Sequence, residues 1–164
     1  MDEPITKSLL LRELRAARAE WEALLAEAPD ARMTEPGVTG DWSVKDIIAH
    51  VTSFNRWFVN ASEAQFRGEL PPLDGTEGMS PEERNQFHAR MAREKSLAEV
   101  REENRRNYTR LLEVVELHSE EFLTQPQQFE GVPGTFLIWH LLKHDGYDHY
   151  REHMQAIRAW LGHT

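Results

Sequence analysis

The chain has 164 residues, a formal net charge of -9 and no cysteine. That length suits one domain able to bury its core without covalent staples. Without cysteine there is neither a disulfide nor a thiolate ligand, so any nucleophilic thiol would come from outside the chain. An acidic balance with no dense Lys/Arg stripe argues against a nucleic-acid partner, and no run of about eighteen uncharged apolar residues offers a membrane span. The opening MDEPITKSLL puts acids ahead of a periodic helix, unlike a signal peptide, so a cytoplasmic location is expected.

From about Ile5 to Ala28, Leu10, Leu14, Ala17, Trp21, Leu24 and Ala28 recur at steps of three and four, which predicts a long amphipathic helix. Pro29 and Asp30 end it, and a loop follows through Pro36, Gly37 and Gly40. Ser43 with Asp46 forms a capping pair, so a second helix starts near Val44 with Ile47, His50, Phe54, Trp57 and Ala61 on one face. Gly68 and Pro71-Pro72 stop it, and the aperiodic stretch to Met79 reads as a surface crossover.

Ser80-Pro81-Glu82-Glu83 opens a short helix ending near Lys95, and Ser96 with Glu99 opens a long one carrying Val100, Asn104, Tyr108, Leu111 and Val115. After Thr124, QPQQFEGVPG reads as a loop. The last helix is predicted from about Thr135 to Leu161, with Ile138, Leu142, Gly146, His149, His153, Ala156 and Trp160 along one side. Four long amphipathic segments without an alternating strand define an all-α fold: one four-helix bundle spanning residues 1-164, with a long crossover and an additional short helix.

The eight histidines divide by direction. His149 and His153 are four apart, so their side chains point the same way one turn apart, on the inward face. His140 and His144 share that spacing but project roughly opposite to His149 and His153 on a regular helix, which places them outward or at an interface. His50 sits mid-face on the second helix and points inward as well. Three buried neutral imidazoles would each need a partner, and a shared divalent ion satisfies all three while leaving coordination open for water or substrate. His88, His118 and His163 lie on polar segments or at the terminus and are expected at the surface.

Other side chains are candidates for supporting roles. Asp46 and Asp145 lie one turn before His50 and His149, where either could orient an imidazole or accept a proton; Asp46 could equally cap its helix and Asp145 could be solvated. Glu152 could relay protons beside His153. Gly146 either lets a helix or substrate approach the histidines or simply kinks its own helix. Trp57, Asn85, Asn104 and Tyr108 are candidates to line a small-molecule substrate pocket.

The segments GDWSVKDIIAHV and DHYREHMQAIRAWL resemble the helix-two and last-helix segments of the DinB/YfiT-like superfamily, and RNQFHARMAREKSLAEVREENRRNYTRLLEVVE is similar to the middle region of its ClbS/DfsB branch. The resemblance implies a four-helix bundle in which His50, His149 and His153 bind a divalent metal, and possible homodimers. The superfamily's usual His-His-Arg-Gly-Gln run is replaced by Glu152-His153-Met154-Gln155-Ala156. The resemblance implies a metal-dependent hydrolase or transferase with an external low-molecular-weight thiol as a possible co-substrate, and the three imidazole ligands suit zinc or nickel. The alternatives are a metal-free ClbS-like protein that binds or hydrolyses an electrophilic small molecule, and a non-enzymatic helical dimer that holds a small ligand.

Overall fold

The computed structural model describes residues 4-162. The long helices are α1 (Lys7–Glu27), α2 (Val44–Arg67) and α4 (Leu97–Leu117), with the shorter α3 (Pro81–Arg93) between the last two. Each begins where a side chain satisfies its free amides. Thr6 accepts from the Leu9 amide, and Ser43 with Asp46, Ser80 with Glu83 and Ser96 with Glu99 form reciprocal capping boxes. Gly68 ends α2 in the left-handed region at φ 68°, which a residue with a Cβ adopts only at a cost.

The region after α4 differs from the expected loop and uniform helix. A single-turn helix α5 (Glu120–Thr124) leads into a small antiparallel ladder, β1 (Pro126–Gln127) with β2 (Phe136–Leu137), pairing Pro126 with Leu137 and Gln127 with Phe136. The last helix then runs as α6 (Ile138–His140), a wider π-type segment (Leu141–Tyr147) and α7 (Asp148–Trp160). Gly146 leaves helical geometry within it at φ -101° and ψ -111°, so the kink is the reading that holds. A Cβ there would meet Leu14 Cδ2 at an ordinary 3.5 Å, so the kink is not forced by crowding.

Two apolar clusters fill the bundle. One gathers Leu10, Leu14, Phe58, Leu111, Ile138 and Leu142; the other gathers Trp21, Leu24, Ile47, Val51, Val100 and Met154. Along α1, α2 and α4 the residues between the clusters are polar: Arg18, Thr52, Asn55, Asn104 and Asn107. Asn104 satisfies much of this belt, donating to Thr52 Oγ1 at 2.9 Å and to the Tyr150 hydroxyl at 3.0 Å while accepting from Arg18 at 2.5 Å. Among the described residues no helix is long and apolar enough to cross a membrane.

Candidate metal centre

His50 projects from α2, and His149 and His153 project from α7. His149 Nε2 lies 3.0 Å from His50 Nε2 and 3.0 Å from His153 Nε2, so one nitrogen sits between the other two. Among the described residues this is the one group of three histidine, cysteine or acidic side chains whose donor atoms could share an ion, all lying within 4.8 Å of one another. His50 is buried, while His149 and His153 keep part of their surface. The rings stand edge to face, with centroids 4.7 to 4.9 Å apart. Phe54 and Trp42 close the other sides of His50 at 4.8 and 4.9 Å, and Phe54 also covers His149 at 4.6 Å.

Burial is the main reason these imidazoles resist protonation. It pushes His50 down to about 3, helped by the His149, His153 and His88 charges, and His149 down to about 4, helped by His153. His153 is lowered by burial, which the neighbouring Glu152 opposes. All three are therefore neutral near pH 7, the form that binds metal. The arrangement fits a cation on its own chemistry. A single His149 Nε2 has either one proton or one lone pair, so it cannot make two good hydrogen bonds to two flanking nitrogens. The Nδ1 atoms of His50 and His149 are buried without a hydrogen-bond partner, although the Asp145 backbone lies close enough to His149 to favour its protonated form slightly.

The other candidates are dispersed. Asp46 caps its helix: its Oδ2 accepts from both the Ser43 amide and the Ser43 hydroxyl at 2.9 Å, and Arg93 approaches its other oxygen at 3.9 Å. The half-buried Asp145 carboxyl is raised by burial, which the His144 and His140 charges oppose. Glu152 is exposed beside His153. Trp57 packs on Phe129 and Phe136 at 5.5 and 5.1 Å, away from the histidines. Tyr108 carries the Arg18 guanidinium over its ring at 4.8 Å, Asn104 belongs to the polar belt, and Asn85 is half-buried on α3. Of these four, Tyr108 lines a small cavity with Leu14, Arg18, Asn55 and Tyr150. A cavity of about 330 Å³ lies between Thr34, Asp41, Ser43, Lys45, Asp46 and Arg93 at the start of α2.

His118 corrects an expectation. It is buried, bonded through Nε2 to Ser62 Oγ at 2.9 Å, and stacked on Phe122 at 3.8 Å. It caps α4, beyond the point where helical periodicity indicates direction. His88 is half-buried, His140 and His144 are exposed as expected, and His163 lies outside the described residues. Trp42 was missed as a site residue because it precedes α2 and so shares no helical face with His50. Phe54, four residues after His50, carried a legible signal.

A helical bundle holding three neutral histidines on two facing helices is the class of protein these features define. Residues 14–136 match the family described as mycothiol maleylpyruvate isomerase N-terminal domain, and the chain belongs to that family, of DinB/YfiT-like fold. No protein of curated function matches it significantly. Among solved structures it is similar to a Streptococcus pneumoniae protein at 14% identity (TM-score 0.83, covering 99% of this chain and 93% of that one). It is also similar to DfsB, a sibling lethal factor precursor, at 17% identity (TM-score 0.80, covering 98% and 97%). A third likeness is to the colibactin self-resistance protein ClbS, solved in complex with a double-stranded DNA, at 11% identity (TM-score 0.78, covering 99% of each chain). At these identities the likeness is one of fold.

Proposed function

We propose that this chain is a divalent-metal-dependent enzyme, a hydrolase or a thiol-dependent transferase, acting on an electrophilic small molecule. The observation that carries the reading is the convergence of three neutral imidazole nitrogens, with His149 Nε2 3.0 Å from each of its neighbours. His50, His149 and His153 would hold the ion, and three protein ligands leave room for a water or substrate atom. Zinc and nickel both suit an all-imidazole set. Such an ion, when bound, makes a bound water or thiol a nucleophile near neutral pH.

The chain's own side chains supply the rest. Trp42 and Phe54 shield His50 from water, which strengthens electrostatic interactions at the site. Phe54, with its ring 4.6 Å from that of His149, packs against the second ligand as well. Glu152, exposed next to His153, would be the proton acceptor. With no cysteine in the chain, a thiol nucleophile would be a co-substrate. The family name, which includes a thiol, supports this last point.

The test uses zinc- or nickel-loaded protein, a small epoxide, and a low-molecular-weight thiol present or withheld, with products read by mass spectrometry. A diol formed without thiol identifies a hydrolase; a thioether formed only with it identifies a transferase. Loss of either product in His149→Ala is expected. Equal turnover by His149→Ala, or by metal-stripped protein, would overturn the reading.

A further inference from the structure

A second pair of histidines lies outside the triad and has no place in the reading above. His140 ends α6, and His144 follows one turn later inside the π-type segment. Both are exposed. Their ring centroids are 4.6 Å apart with the planes at 63°, close to the 4.7 Å and 61° separating His149 from His153. The two pairs thus have the same ring geometry in different settings, one within the bundle and one on its surface.

Among the described residues neither His140 nor His144 is hydrogen-bonded to a protein group, so their ring nitrogens are not committed elsewhere. The Trp139 ring stands against His140 at 4.3 Å and 85°, which limits the rotation of that imidazole. Asp145 adds a negative group: its half-buried carboxyl lies within electrostatic reach of both histidines. Two imidazoles one helical turn apart can occupy adjacent positions around one ion, and a nearby carboxylate offsets part of its charge.

We propose that His140 and His144 form a second, surface metal site that takes a divalent first-row transition ion through two imidazole nitrogens, with water completing the shell. Copper(II) binds such nitrogen pairs most strongly, followed by nickel and zinc. The open surface makes this a site of moderate affinity and fast exchange. Its two histidines are distinct from those of the triad, and both are exposed.

The test is made in tag-free protein carrying His149→Ala, which silences the triad and makes the result independent of whether that site holds metal. Copper(II) is titrated by calorimetry, and the bound ion is examined by frozen-solution electron paramagnetic resonance. One equivalent with coupling to two nitrogens is expected. Adding His140→Asn or His144→Asn should lower the affinity by roughly tenfold or more. Both positions are exposed, so circular dichroism should show the fold unchanged. Binding that is indifferent to His140→Asn and His144→Asn, or absent from the His149→Ala protein, would overturn the proposal.

Discussion

Replacing Asn104 by leucine tests whether the polar belt holds the bundle together. Asn104 is 3% exposed and makes three side-chain hydrogen bonds, to Arg18, Thr52 and Tyr150. Leucine has a similar volume, so the cost comes from stranded polar groups rather than from a cavity. The losses are unequal. Thr52 keeps its bond to the Ile48 carbonyl at 2.7 Å, and Arg18 keeps Glu22, whereas the buried Tyr150 hydroxyl loses its asparagine donor and is left with the Arg18 guanidinium. At about 1–3 kcal/mol for one poorly satisfied buried group, the substitution should cost about 1–3 kcal/mol. That lowers the melting temperature by about 2–12 °C in a chain of this length. Urea unfolding followed by circular dichroism at 222 nm measures it, with an unchanged m-value confirming that the effect is on stability. Tyr150→Phe completes a double-mutant cycle, and a coupling of about 0.5–2 kcal/mol is expected between residues in direct contact. A cost below about 0.5 kcal/mol for Asn104→Leu, the size of an ordinary surface change, would refute the reasoning.

Other perturbations separate the remaining assignments. Burial and the Lys7 charge lower His118 to about 4, so the unfolded chain binds a proton that the folded chain refuses. Its stabilising effect is therefore complete above about pH 6.5 and is lost as pH falls from there toward 4. His118→Gln should flatten that part of the pH-stability curve, and an unchanged slope would contradict the assignment. Asp46→Asn should cost about 1 kcal/mol through the damaged cap, by thermal melting, yet leave metal affinity within twofold of wild type. A large loss of metal affinity would return Asp46 to the site. Zinc at about a hundredfold above its dissociation constant should stabilise the wild type by about 2.7 kcal/mol, a rise of roughly 5–11 °C. A thermal-shift assay in which His50→Ala shows the same rise would contradict ligation by His50.

What the sequence revealed follows the range of each interaction. The starts of α2, α3 and α4 were legible because Ser43, Ser80 and Ser96 each bond three residues ahead, within one turn. The inward direction of His149 and His153, and the outward one of His140 and His144, followed from helical geometry alone. The ladder of β1 and β2 was not legible, since two-residue strands carry no alternation. Nor was the π-type segment, for which Gly146 was the sole local sign. The pocket assignments of Trp57, Asn85, Asn104 and Tyr108 depended on how α2, α3 and α4 rotate against each other. That relation is set by packing between distant residues, and it distributes the four among an aromatic cluster, α3 and the polar belt.

The central claim is that His50, His149 and His153 act together as a metal site. The most direct measurement is metal content and affinity, by plasma mass spectrometry and competitive titration, on tag-free protein carrying His140→Asn and His144→Asn so that the surface pair adds nothing. The account predicts one zinc or nickel ion per chain, released by chelator and rebound stoichiometrically, with tight binding lost in His50→Ala and His149→Ala. A protein that binds no ion tightly, or that binds it equally well without His149, would contradict the account.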